Sequence, residues 1–289
     1  ISFDNRFIIL SLLFLLLSTS VIVMIGAVDQ KVGGRYSAIP SFYTLCLALT
    51  FLNIFNNFKI IACADIDLSA AETTAATIRQ LGVKATALKV DVGEAAEISN
   101  MIQDIERQFG RLDILVNNAG VTRAADIMEL TEADWDKIHR VNAKGVFFCL
   151  QNAAKQMIEQ GNGGRIINIA SIAGRGFSGT SNAAYSASKG AVISLTKTAA
   201  QQLAKHDITV NSICPGVTTT EIVEGLVKTR AEARGISVEA MVKEMTDNIP
   251  LKRANEPEDI AAMAIFLASS GARNITGQSY NVDGGLVTS

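Results

Sequence analysis

Residues 164–216 read GRIINIASIAGRGFSGTSNAAYSASKGAVISLTKTAAQQLAKHDITVNSICPG. The apolar, β-branched opening (164–171) has the length of a buried strand, and so has ITVNSICPG at 208–216. Between them, residues 183–205 are Ala-rich and free of proline, the text of a long helix. A strand, a helix of more than ten residues and a second strand form a unit whose two strands lie parallel.

The same alternation extends in both directions. KIIACADID (59–67) and KATALKVDV (84–92) read as strands, separated by an Ala-rich helix (69–81) that Gly82 stops. An amphipathic helix (95–109) closes at Gly110, and LDILVNNAG (112–120) is a strand entering a turn. Thr131 with Asp134 is a capping signature for a helix running through His139 to about Gln160. A helix at 257–269 and a strand in QSYNVDGG (278–285) complete the pattern. The expected fold is α/β: a doubly wound, Rossmann-like parallel sheet in a single domain spanning 59–289. In such sheets ligands bind beyond the carboxyl ends of the strands, so the residues just after strands are the ones to read.

Tyr185 and Lys189 lie four apart on the long helix and share a face. A phenol is a poor base at neutral pH, but an ammonium beside it stabilises the phenolate, making Tyr185 a usable general acid/base. Ser171 ends the strand 164–171, where its hydroxyl can hydrogen-bond a substrate carbonyl as charge develops on the oxygen. Asn142, in VNAKGVFF, is placed to hold a water next to Lys189.

With these residues go ADID (64–67), DV (91–92), NNAG (117–120), YSASK (185–189), PG (215–216) with Thr220 beyond, PLKR (250–253), PED (257–259), ITGQ (275–278) and VDGG (282–285). Over roughly residues 60–289 the chain resembles the short-chain dehydrogenase/reductase family. The resemblance implies that Tyr185 exchanges a proton with the substrate oxygen while hydride moves between substrate carbon and nicotinamide. Lys189 would lower the Tyr185 pKa and bond the nicotinamide ribose, Ser171 would orient the carbonyl, and Asn142 would support a proton relay. Asp91 and Val92 would meet the adenine, and Asn118 would lie along the cofactor. Pro215, Gly216, the backbone of Thr218 and the hydroxyl of Thr220 would lie near the carboxamide and pyrophosphate. Asp65 would accept the adenosine ribose hydroxyls. A 2′-phosphate there would meet like charge, and no Arg follows in ADIDLSA, which favours NAD over NADP. The family commonly forms homotetramers. Asn117 reads as structural, Asp67 as a helix N-cap, and Gly284 and Gly285 as turn glycines.

Residues 218–250 read as amphipathic helices over the crevice, a substrate lid. The length of that segment and the NVDGG ending resemble the polyol, sugar and diol dehydrogenases of the family, so the expected reaction interconverts a secondary alcohol and its ketone. Three alternatives stand beside it: a 3-oxoacyl reductase, a membrane-anchored reductase of lipophilic carbonyls, and a non-catalytic Rossmann-fold protein.

The first 58 residues are different text. Residues 1–60 hold six charged side chains and seven of the twelve phenylalanines. Residues 7–25 are uncharged for 19 residues, near the roughly 20 needed to cross a bilayer. A membrane anchor, a signal-peptide core and a mistranslated 5′ end all fit. The family's glycine-rich turn belongs some way before Asp65, yet IPSFYTLCLALTF (39–51) has no glycine. VIVMIGA (21–27) looks like a first strand, followed by Gly33 and Gly34, but too far upstream for the family's spacing. The expectation is therefore a missing first βα unit or a broken cofactor site.

Composition excludes other classes. A net charge of -2 lacks the basic footprint that nucleic-acid binding requires. His139 and His206 have no partners at ligand spacing, so neither a metal site nor a Ser-His-Asp hydrolase is expected. The four cysteines form no CxxC pair, with Cys149 and Cys214 read as small buried hydrophobes. The expected location is the cytoplasm, or a membrane if residues 7–25 anchor the chain.

Overall fold

The computed structural model describes residues 20–25, 37–38, 58–123, 125–177, 181–219, 227, 231–232 and 234–288. Its strands are β1 (Ser20–Ile25), β2 (Ser37–Ala38), β3 (Phe58–Asp65), β4 (Lys84–Lys89), β5 (Ile114–Asn117), β6 (Val121–Thr122), β7 (Gly164–Ile169), β8 (Ile208–Pro215) and β9 (Ser279–Val282). The helices are α1 (Leu68–Gln80), α2 (Ala95–Phe109), α3 (Glu132–His139), α4 (Val146–Gln160), α5 (Ala183–Leu203), α6 (Val238–Asp247) and α7 (Pro257–Ala268). Seven strands pair in the order β4-β3-β1-β5-β7-β8-β9, every neighbouring pair parallel. β2 and β6 form a separate antiparallel pair.

Of the two alternatives expected for the N-terminal segment, the absence of a first strand is corrected here. Ser20–Ile25 lies between β3 and β5, pairing Ile22 with both Ile61 and Ile114. Six apolar or small residues in an extended segment satisfy the edges of both neighbours, whatever their distance in sequence. Residues 20–25 thus belong to the sheet although they fall inside the segment expected to stand apart. The glycine-bearing stretches 26–36 and 39–57 lie outside the described residues. Among the described residues no helix is long and apolar enough to cross a membrane.

Strand alternation divides the core into two layers. Ile61 and Cys63 of β3 face α1 and α7, where Ala71, Ala75, Ile78, Ile260 and Ala264 are buried. Ala62 and Ala64 face the layer of α2, α4 and α5, with Ile98, Met101, Cys149 and Ala153. A period of two therefore sends successive residues to opposite helical layers.

Local chemistry sets the helix ends. Asp67 caps α1, accepting from the Ser69 N–H at 2.8 Å. Gly110 ends α2 in the left-handed region, at φ 72°. Thr131 and Asp134 close a reciprocal capping box on α3. From α3 the chain runs into α4 through a π-type turn at Arg140–Gly145, a widening that the regular 3.6-residue pattern does not announce. Asn182 caps α5 by accepting the Tyr185 N–H at 2.8 Å. Asn117 has the structural role expected of it: its Nδ2 donates to Asn168 Oδ1 (2.9 Å), and Asn168 Nδ2 donates to Thr196 Oγ1. That chain pins β5 and β7 to α5.

Candidate active site

β7 ends at Ile169, and Ser171 opens a short 3₁₀ turn at Ile172–Arg175. The Ala173 N–H donates to Ser171 Oγ at 3.1 Å, which leaves the hydroxyl proton available in the other direction. α5 packs on this turn and presents Tyr185 and Lys189. Lys189 is 0% exposed. Its Nζ donates to the Ile169 carbonyl at 2.7 Å and lies 5.7 Å from the centre of the Tyr185 ring.

Burial governs both titrations. It pushes the Tyr185 phenol up to about 12, against the lowering effect of a hydrogen bond from Ser171. It pulls the Lys189 ammonium down to about 8. The expected lowering of the Tyr185 pKa by Lys189 is not what the chain alone shows: desolvation of the phenolate is the largest effect and the opposing one comes from Ser171. Cys214, on β8, is buried beside both groups, and burial raises its thiol above the ordinary range.

Asn142 lies in the π-type turn and is fully buried. Its Oδ1 accepts the Val121 N–H at 2.8 Å, and its Nδ2 donates to the Val121 carbonyl (2.9 Å) and to Ser188 Oγ (3.1 Å). Ser188 Oγ in turn donates to the Tyr185 carbonyl at 2.7 Å. Both Nδ2 protons are therefore committed. The side chain clamps β6 and α5 together.

The residues read as nucleotide contacts cluster along the carboxyl ends of β3, β4, β5 and β8. Asp65 ends β3, is 2% exposed, and its Oδ1 accepts the Asp67 N–H at 2.9 Å. Asp91 follows β4, where its Oδ1 accepts the Gly93 N–H (2.8 Å) and its Oδ2 takes Arg140 Nη2 (3.0 Å). Val92 is buried against Gly145, whose added Cβ would come within 2.8 Å of the Val92 carbonyl. Asn118 follows β5, is 1% exposed, and has no partner for either amide atom among the described residues. Pro215 ends β8, the Gly216 N–H donates to the Val282 carbonyl (2.8 Å), and Thr218 Oγ1 donates to the Gly216 carbonyl (3.2 Å). Thr220 lies outside the described residues. Of the segment read as a lid, α6 is described, with Met241 packed on Val227 and Ala231 while Val238 and Val242 are exposed.

Ser188, Asn182 and Cys214 belong to this assembly and were not singled out from sequence as site residues. Asn182 was findable as an N-cap ahead of an Ala-rich helix. Ser188 was findable as the residue three beyond Tyr185 on its own face. Cys214 carries no local signal, since only the sheet brings it under Tyr185.

A buried phenol–amine pair beside a hydroxyl, at the carboxyl edge of a doubly wound sheet, defines a class of nicotinamide-dependent oxidoreductases. Residues 59–287 match the family model described as enoyl-(acyl carrier protein) reductase, and the chain belongs to the short-chain dehydrogenase/reductase family. It is 40% identical over 217 residues to the 3-oxoacyl-(acyl-carrier-protein) reductase of Staphylococcus epidermidis, covering 75% of this chain and 83% of that one. It is equally 40% identical over 225 residues to the sorbitol dehydrogenase of Cereibacter sphaeroides, covering 78% and 86%. Among solved structures it resembles an NAD+-bound xylitol dehydrogenase with a TM-score of 0.78, at 30% identity, covering 92% of this chain and 98% of that one. The protein is an NAD(P)-dependent oxidoreductase acting on CH–OH groups of a small molecule.

Proposed function

We propose that this chain interconverts a secondary alcohol of polyol, sugar or diol type and its ketone, with Tyr185, Lys189, Ser171 and Asn142 as the working groups and NAD as cofactor. The observation that carries the reading is the fully buried Lys189, held on the Ile169 carbonyl with Tyr185 and Ser171 alongside. A nicotinamide dinucleotide, when bound, accepts or supplies the hydride. The Asn118 amide supports binding there, since it is buried and has no partner among the described residues.

During alcohol oxidation, Tyr185 Oη takes the hydroxyl proton and Ser171 Oγ holds the same oxygen. During ketone reduction the proton moves the other way. Lys189 stabilises the phenolate once Tyr185 has given up its proton. Asn142 acts through its clamp on Val121 and Ser188, which fixes α5 against β6. Asp65 prefers ribose hydroxyls to a phosphate, which supports NAD over NADP. Exposed Phe147 on α4 and Phe266 on α7 support assembly into the family's homotetramer.

The test is turnover of sorbitol, galactitol and xylitol with NAD+, set against acetoacetyl-CoA with NADH or NADPH. Polyol oxidation with NAD+ that exceeds acetoacetyl-CoA reduction supports the proposal. The reverse order assigns the chain to 3-oxoacyl reduction, a reading favoured by the equal identity to the staphylococcal enzyme.

A further inference from the structure

Gly174 lies three residues beyond Ser171 in its 3₁₀ turn, and Gly190 directly follows Lys189 on α5. Neither is among the positive-φ glycines, so backbone conformation does not require glycine at either position. Space does. A Cβ added to Gly174 would meet the carbonyl carbon of Lys189 at 2.6 Å, the nitrogen of Gly190 at 2.7 Å and the carbonyl oxygen of Lys189 at 2.8 Å. All three are main-chain atoms that no rotamer change can move. A Cβ on Gly190 would stand 3.3 Å from the Gly174 carbonyl oxygen, a milder collision. Gly190 is also a helix-interior glycine, a choice that local propensity disfavours and that a tertiary contact must justify.

The two chains that touch here carry the reacting groups. The Gly174 N–H donates to the Ser171 carbonyl at 3.0 Å, so displacing Gly174 carries Ser171 with it. On the other side, Lys189 precedes Gly190 and Tyr185 lies one turn earlier. Lys189 Nζ spans the same junction to Ile169.

We propose that the Gly174–Gly190 backbone contact is a positioning device, which sets the distance between the Ser171 hydroxyl and the Tyr185/Lys189 face. Gly174 is its critical member. The proposal rests on the reading of Ser171, Tyr185 and Lys189 as the working groups. It predicts that adding a single methyl group at residue 174 displaces the turn from α5. The cofactor-binding strands β1, β3 and β4 stay as they are.

The experiment compares the full chain with Gly174→Ala, Gly190→Ala, Ser171→Ala and the Ser171→Ala/Gly174→Ala double variant, using sorbitol with NAD+ and acetoacetyl-CoA with NADH. Gly174→Ala should lower kcat about 100-fold, the loss typical of a misplacement near 1 Å. Its NADH affinity, by fluorescence titration, should stay within about threefold, and Gly190→Ala should lose only about fivefold in kcat. The double variant should be no slower than Ser171→Ala alone, because groups acting as a unit are not additive. Crystal structures should show a longer Ser171 Oγ to Tyr185 Oη distance in Gly174→Ala. Full kcat in a folded Gly174→Ala, or losses that simply add in the double variant, would overturn the proposal. Should Gly174→Ala fail to fold, unchanged kcat and an unchanged Ser171–Tyr185 distance in Gly190→Ala would overturn it equally. A wild-type chain inactive on both probes would count against the proposed reaction, while the crystallographic distances still decide the positioning role.

Discussion

The carboxyl edge of the sheet is built in two ways. On the β7–β8 side, Ser171, Tyr185, Lys189 and Asn142 are buried, and the side chains of Ser171, Lys189 and Asn142 are bonded to main-chain atoms of Ala173, Ile169 and Val121. On the β3–β4 side, Asp91 is partly exposed and held by charge, with Arg140 bridging it to Glu94 at 3.0 and 2.8 Å. The first side is dry, and desolvation dominates the titrations of Tyr185 and Lys189. On the second, Asp65 is buried, but the Asp91–Arg140–Glu94 group is wet, and solvent screens its ion pairs to small net contributions. Under the proposed function the difference would separate tasks: proton transfer needs groups whose pKa values and positions are held by burial, whereas gripping a polar nucleotide needs carboxylates that remain charged.

Four substitutions break or sharpen that contrast. The largest effect should come from Tyr185→Phe, which removes the proton donor and acceptor from the dry side. kcat should fall about 1000-fold or more with sorbitol and NAD+ while the NADH dissociation constant stays within about threefold. Steady-state kinetics with a fluorescence titration checks it, and equal kcat would remove Tyr185 from the mechanism.

Lys189→Met should show that the dry side holds its charge at the expense of stability. The shift of Lys189 from 10.5 to about 8 corresponds to about 3 kcal/mol at pH 7. Leaving the Ile169 carbonyl without its donor returns about 1 kcal/mol of that. The inactive variant should therefore be more stable than wild type by about 2 kcal/mol at pH 7. Between pH 8 and 10.5 the unfolded chain binds more protons at Lys189 than the native chain, so wild-type stability rises with pH and the gap closes. Above pH 10 the Tyr185 phenol, raised from 10 to about 12, acts in the opposite sense and stability falls. Urea denaturation of both proteins from pH 7 to 10 measures the gap, and one that stays constant with pH would contradict the assignment.

Asp65→Ala should reduce the preference for NADH over NADPH about tenfold, the size expected from removing one like-charge repulsion of about 1.4 kcal/mol. Dissociation constants for the two nucleotides report it directly. The smallest effect belongs to Arg140→Ala on the wet side. It should cost under about 1 kcal/mol and leave kcat within about twofold, and raising the salt concentration should shrink even that difference. A loss of several kcal/mol would mean that the Asp91–Arg140–Glu94 group is not governed by solvent.

Most of the sheet was legible because strands covered on both faces are unbroken apolar runs, and helices between them show their own period. The segments 84–92, 164–171 and 208–216 contain the observed strands, and 59–67 covers all of β3 but Phe58. β1 was harder to place. SVIVMI looks like a strand wherever it occurs, and only hydrogen bonds to both β3 and β5 reveal that it is an interior one. The distance along the chain to Asp65 argued against it, but chain distance does not limit parallel pairing once a long connection is present. The π-type turn at Arg140–Gly145 was invisible for a related reason: one extra residue in a turn leaves the hydrophobic pattern of α3 and α4 almost intact.

The sequence by itself determined the alternation of strands and helices and the caps, and singled out Ser171, Tyr185 and Lys189 as candidates, since each depends on residues close together in the chain. Tertiary structure alone decided how those groups titrate, why Asn142 acts as a clamp, and why residues 174 and 190 are glycines. Those properties depend on what lies within a few ångströms across the fold, where burial, a main-chain carbonyl or the absence of one methyl group sets the energy, and none of these neighbours is adjacent in sequence.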